Sequence, residues 1–191
     1  MFLNFFVYFD ILGVLKSKLD YTILKPELSY NFYFLLLEEI KKKYSIKPLE
    51  DFSKNTKDSI VFLRHDVDIS LEAALEMAEL EAQHNISSTY MFIPDSLLYD
   101  IRSNKGKKIL RKIQNLNHEI ALHFDIETSG VIDVTDEREV GNLIKRDANG
   151  ISEIVGQEVK SISFHRPIKQ FLYGEDYLHG LVNAYSKTLM E

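Results

Sequence analysis

Three short stretches of the 191-residue chain concentrate groups that could do chemistry: Arg64-His65-Asp66-Val67-Asp68, His123-Phe124-Asp125-Ile126-Glu127 and His165-Arg166-Pro167. Imidazole nitrogens and carboxylate oxygens are the ligands that divalent cations such as zinc, manganese and iron prefer. Asp66 and Asp68 are separated by one residue, so on an extended chain their side chains point to the same side and His65 to the other. Two neighbouring carboxylates repel unless a cation or a proton neutralises one of them. A division of labour follows, in which one Asp holds a metal and the other acts as general base on a water molecule. Each residue alone has an ordinary explanation. A strand-end Asp caps the next helix, a single His satisfies a buried hydrogen bond, and Arg166 makes a surface ion pair of little worth. Only their convergence points to a metal site.

Convergence requires elements that bring the three stretches together. Ser59–Leu63 is a short apolar, β-rich run read as a buried strand running toward Asp68. Ser70 is an N-cap for a helix over Leu71–His84, which presents Leu71, Ala74, Leu75, Ala78 and Ala82 on one face; Asn85 ends it in the left-handed conformation. Ser87–Ile93 is a second strand, Lys107–Leu116 a helix and His118–His123 a third strand. Glu137–Val155 is a long helix stopped by Gly156, and Val159–Phe164 is a fourth strand. An earlier helix over Asn31–Tyr44 carries Tyr33, Leu36, Leu37, Ile40 and Tyr44 on one face, and 47–58 reads as a loop. Strands alternating with helices imply a parallel sheet with helices packed outside, and chemistry at the C-terminal strand ends. The three ionisable stretches all fall at such ends. His118 stands at the other end of its strand and reads as structural.

With 45% hydrophobic and 27% charged residues the composition is that of a globular domain. The net charge of -6 argues against a nucleic-acid partner, which needs a basic face. The chain has no cysteine, which removes disulfides, zinc–thiolate sites and thiol nucleophiles, and fits the cytoplasm. Residues 1–30 are set apart as an apolar leader of unknown role, with 31–191 as the functional domain. The opening MFLNFFVYFDILGVL is too short for an ordinary membrane-spanning helix, carries Asp10, and has neither the basic start nor the cleavage site of a signal peptide. It reads as a buried or poorly ordered leader, with an interfacial membrane contact through residues 1–15, beside Lys16 and Lys18, as the alternative.

The sequences RHDVDIS, MAELEAQHNISSTYMF, NHEIALHFD and SISFHRP, in this order and spacing, resemble the polysaccharide deacetylase superfamily of the carbohydrate esterase family 4 type. The likeness is greatest to its divergent branch in surface-polysaccharide biosynthesis. The resemblance runs from about Tyr30 to the C-terminus and implies an α/β fold, a distorted (β/α) barrel. It also implies one divalent metal, most often Zn2+ with Mn2+ or Fe2+ as alternatives, and hydrolysis of the acetamide of an N-acetylated sugar. Carried over by residue, it makes Asp66 the catalytic base, Asp68 and His123 metal ligands, and Arg166, before Pro167, the residue that orients the base. The family's second metal His would fall at position 127, where this chain has Glu127. His165 is therefore expected as the third ligand, with Glu127 and Asp125 behind it. The resemblance further implies strands and a late acid His beyond Asn183-Ala184-Tyr185-Ser186. The chain ends at Glu191, so the barrel is expected to be truncated at its C-terminal end.

Two other readings compete with a deacetylase. One is an inactive remnant or binding module that lacks the late acid. The other is a phosphatase-like enzyme with Asp66 as nucleophile, which would have no use for histidines at the other two strand ends.

Overall fold

The computed structural model describes residues 29–53, 59–167 and 169–190. The apolar opening at 1–15, the rest of the leader before Ser29 and the loop at 54–58 lie outside them. Helix α1 spans Tyr30–Lys41, with the Ser29 hydroxyl accepting the Phe32 N–H at 3.2 Å, and buries Tyr33, Phe34, Leu37 and Ile40. Strand β1 (Ser45–Lys47) pairs in parallel with β2 (Ile60–Phe62), and a 3-10 turn at Leu49–Asp51 lies between them. The run expected as one strand ending at Leu63 is instead two strands, continuing as β3 (Arg64–Val67). Leu63 is the joint: its N–H reaches the Lys47 carbonyl at 3.0 Å and its carbonyl accepts the Thr89 N–H at 2.9 Å. The chain thus passes from one sheet to the next without a turn.

Then follow α2 (Leu71–Gln83), β4 (Thr89–Phe92), α3 (Asn104–Asn115), β5 (Glu119–Asp125), the single turn α4 (Ile126–Ser129), α5 (Glu137–Val155) and β6 (Ser161–His165). The caps explain the boundaries. Ser70, Ser103 and Asp136 accept N–H groups from the first turns of α2, α3 and α5. Asn85 (φ 54°) and Gly156 (φ 72°) take the left-handed conformation after α2 and α5. Helix α3 starts earlier than expected because Ser103 caps it there.

Two strands beyond the expected four complete the sheet. Strands β7 (Tyr177–Leu178) and β8 (Leu181–Asn183) form a hairpin whose two turn residues, His179 (φ 51°) and Gly180 (φ 92°), both have positive φ, as a type I′ turn requires. His179 is thus a hairpin tip, and its ring lies where a Cβ on Gly141 of α5 would be, 2.5 Å from Cε1. The strand order is β3-β4-β5-β6-β8-β7, parallel except for β7 against β8. The fold is α/β with a mostly parallel six-stranded sheet that stays open among the described residues. A final turn, α6, spans Lys187–Met190.

Alternation makes the two faces of this sheet chemically different. Tyr90, Phe92, Ile120, Leu122, Phe124, Ile162 and Phe164 form one face and are buried with α2, α3 and α5. The other carries Arg64, Asp66, Thr89, Glu119, His123, Asp125, Ser161, Ser163 and His165, interrupted by a small apolar patch of Met91, Ala121, Val182 and Ala184 under Leu49 and Phe52. On the apolar face one carboxylate is fully buried. Glu81 of α2 accepts hydrogen bonds from the hydroxyls of Tyr33, Ser88 (2.6 Å) and Tyr90 (2.9 Å) and lies 2.7 Å from His65 Nε2. His118 joins this region, its Nδ1 near the Ser88 hydroxyl and Nε2 3.0 Å from the Ala78 carbonyl.

At the N-terminal end of the polar face, Glu119 Oε2 accepts from the Thr89 hydroxyl at 2.6 Å and the Glu50 N–H at 2.9 Å, which holds the 3-10 turn against the sheet. Glu119 Oε1 and Ser161 Oγ are buried without a well-formed hydrogen bond. Burial pushes the Glu119 carboxyl up from 4.5 to about 7, against the pull of Ser161, Thr89 and the Glu50 N–H. A carboxyl raised on folding favours the folded state fully below pH 4.5, and that contribution is lost as pH rises through 7. By linkage the charged form costs about 3 kcal/mol at pH 8. Glu119→Gln is expected to match wild type at pH 4.5 and to be more stable by roughly 2–3 kcal/mol at pH 8, measured by urea midpoints at both pH values. Equal midpoints at pH 8 would show that this carboxyl is not strained by burial.

Candidate metal centre

The polar face ends, at the C-terminal edge of the sheet, in three side chains from three strands. Asp68 is one residue past β3, where the Tyr99 hydroxyl ties the chain by donating to the Val67 carbonyl and accepting the Ile93 N–H at 2.9 Å. His123 is on β5, in register with Ser163 of β6, and His165 is the last residue of β6, opposite Asp125. Asp68 Oδ1 lies 3.3 Å from His123 Nε2 and 3.3 Å from His165 Nδ1. One ligand atom from each of the three residues falls within 4.8 Å of the others. The two imidazole rings stand nearly edge to face, with centroids 5.3 Å apart at 80°.

The arrangement fits a divalent cation on three counts. Two nitrogens and one oxygen are the three protein ligands of many catalytic zinc sites. Ligands about 2.0–2.1 Å from a tetrahedral ion sit about 3.3 Å apart, the spacing of both imidazoles from Asp68. Finally, Asp68 Oδ1 is buried and makes no hydrogen bond, although two ring nitrogens are close to it. Burial pushes the Asp68 carboxyl up, but His123 and His165 together outweigh it and hold the group below its ordinary range. The carboxylate is therefore anionic at neutral pH and available as a ligand.

Asp66 lies beneath this cluster on the same face of β3. Ser163 Oγ donates to its Oδ1 at 3.2 Å, and Arg64 donates to its Oδ2 at 3.3 Å. Arg64 is itself fixed by the Tyr185 hydroxyl at 3.1 Å and by that ring, whose centroid is 4.7 Å from the guanidinium carbon. The guanidinium beside Asp66 is thus that of Arg64. Arg166, expected in that position from its place before Pro167, is 59% exposed and reaches Glu127 Oε2 at 2.7 Å and Asp125 Oδ1 at 3.8 Å.

Asp125 and Glu127 are not drawn into the cluster of three. The Asp125 carboxylate caps α4, accepting the Glu127 N–H at 3.3 Å and the Thr128 hydroxyl at 3.0 Å. His65 and His118 both lie on the apolar face of the sheet. Sequence reasoning passed over Arg64, Ser163 and Tyr185. Parity offered a signal for the first two, since Arg64 is two residues before Asp66 and Ser163 two before His165, on the same faces. Tyr185 lies in the quoted stretch Asn183-Ala184-Tyr185-Ser186, which gave it no role of its own.

No protein-family model matches the chain, and no curated protein is significantly similar in sequence. Several solved structures are similar in part. One is a Streptococcus pyogenes deacetylase in complex with acetate, at 11% identity and TM-score 0.49, over 66% of this chain and 57% of that one. Another is a Bacillus anthracis pseudoenzyme of carbohydrate esterase family 4, at 14% identity and TM-score 0.41, over 53% and 33%. A third is a Clostridium thermocellum family 4 acetyl xylan esterase with a cobalt ion, at 17% identity and TM-score 0.38, over 52% and 45%. The chain spans between a third and somewhat over half of the length of these structures. Among the described residues no helix is long and apolar enough to cross a membrane.

A cation that binds only the folded chain must stabilise it. Zn2+ at 100 times its dissociation constant is expected to add about 2.7 kcal/mol to unfolding, read as a rise in Tm. Asp68→Ala and His123→Ala should abolish that rise, and Glu127→Ala should keep it. A Zn2+-dependent rise unchanged in Asp68→Ala would mean that the ion binds elsewhere.

Proposed function

We propose that this chain is a metal-dependent hydrolase that removes the acetyl group from an N-acetylated sugar in surface-polysaccharide biosynthesis. In this reading its open sheet is part of a distorted (β/α) barrel of the polysaccharide deacetylase type. The observation that carries the proposal is the meeting of Asp68, His123 and His165 at one strand-end rim, with the paired carboxylate of Asp66 directly below. The four motifs that resemble the family supply the substrate class.

Asp68, His123 and His165 would hold the cation, most simply Zn2+, with Mn2+ or Fe2+ as alternatives for a set containing a carboxylate. A divalent ion in such a site polarises a carbonyl and makes water a stronger nucleophile. Asp66 takes a proton from the attacking water as oxygen bonds to the acetyl carbon. The C–N bond then breaks as the proton passes from Asp66 to the departing nitrogen, giving the free amine of the sugar and acetic acid, whose own proton is lost to water while the amine takes one up, so that the products in solution are acetate and the protonated amine. Arg64 and Ser163 occupy one oxygen each of the Asp66 carboxylate, so its orientation toward the water is set before substrate arrives. Arg166 sits on the rim with Glu127, outside this proton path.

The test is acetate release from N-acetylated amino-sugar oligomers by the Zn2+-loaded protein. Asp66→Asn is expected to lower kcat by about 10²–10⁴ while Zn2+ still binds. A wild-type protein that binds Zn2+ stoichiometrically but releases no acetate would overturn the hydrolase reading in favour of a binding module.

A further inference from the structure

Ser163 is fully buried on β6 and its one hydroxyl touches two members of the site. Its Oγ lies 2.6 Å from His123 Nδ1 and 3.2 Å from Asp66 Oδ1. A serine hydroxyl has one proton to give and lone pairs to receive. An ionised carboxylate only accepts, and the other oxygen of Asp66 already accepts from Arg64. The Ser163 proton therefore goes to Asp66. Were it to go to His123, an oxygen lone pair of Ser163 would face the Asp66 anion at 3.2 Å. Toward His123 the serine can then only accept, which requires the proton on Nδ1. In the neutral imidazole the lone pair is left on Nε2, toward Asp68 Oδ1 at 3.3 Å, a lone pair beside an anion that an ion held by both would reconcile.

From this chain of donors we infer that Ser163 is a positioning residue: it locks His123 in its Nδ1–H form, aims the Nε2 lone pair at the Asp68 side, and ties this ligand to Asp66. The inference rests on the metal-site reading above and adds to it a reason why the site is prepared before any ion arrives. A metal-bound His commonly owes its tautomer and ring orientation to the partner of its second nitrogen, and losing such a partner costs 10–100-fold in affinity. Here that partner is also hydrogen-bonded to the proposed base, so a single hydroxyl orients both groups.

The experiment uses the whole chain labelled with nitrogen-15 at histidine. In the metal-free wild type, imidazole correlation spectra are expected to show His123 protonated at Nδ1. Ser163→Ala should lose that preference and bind Zn2+ 10–100-fold more weakly in competition with a chromophoric chelator. Ser163→Thr, which keeps the hydroxyl on a residue suited to strands, should restore both. Matching metal-free unfolding midpoints for the variants would separate positioning from loss of fold. An Nε2–H form of His123 in the wild type, or wild-type Zn2+ affinity in Ser163→Ala, would overturn the role of Ser163. A wild type that binds no Zn2+ while His123 is Nδ1–H would instead overturn the metal site and leave the tautomer lock standing.

Discussion

An anionic oxygen and two ring nitrogens converge at the end of the sheet, and electrostatics makes such a meeting unfavourable unless positive charge lies among them. Asp68 Oδ1 has given up water by burial and has no hydrogen bond in exchange. That arrangement persists only because three strands hold its members from three directions. Strand β3 delivers Asp68 through the Tyr99 clamp, β5 delivers His123 and β6 delivers His165, and register fixes the last two relative to one another. The sheet therefore does more than display these side chains. Its backbone pairing fixes their spacing, and a bound cation would add a further stabilisation to the same contact.

The separation of chemistry between the two faces makes this possible. Tyr90, Phe92, Leu122, Phe124 and Phe164 bury a large apolar surface under the helices, which secures the sheet. With that face supplying the core, the other is free to carry arginine, carboxylates, serines and histidines along β3, β5 and β6. Glu119 shows the limit of this freedom. At the far end of the face, its carboxyl is buried with too few donors and is pushed up to about 7. Glu81 on the apolar face shows the opposite outcome. Burial works against its charge, but His65, Ser88 and Tyr33 reverse that and hold it down to about 2.

Much of this was legible in the sequence, for physical reasons that differ by element. Helix α5 could be read to the residue because Gly156 stops a long amphipathic repeat that opens at Glu137. The neighbourhood of Asp68, His123 and His165 was legible because parallel strands bring their C-terminal ends to one edge, wherever the chain between them runs. Strands β7 and β8 were not, since two or three residues are too few to show a period. The split at Leu63 was hidden because an apolar run looks the same whichever neighbour its N–H groups find. For Arg64 and Arg166 the motif and the strand geometry point to different guanidinium groups. A guanidinium beside Pro167 suggested a role, while the one two residues before Asp66 on the same strand face was physically nearer to it.

The close seating of the His179 ring against Gly141 has a mechanical consequence. Helix α5 is bare at that point, so the hairpin tip can nestle against its backbone. Strand β8 leads from that tip to β6, which carries Ser163 and His165. A methyl group at position 141 would displace the imidazole, which is exposed and can turn aside into solvent. The tip thus meets the helix through a ring that can yield before the strand behind it has to move.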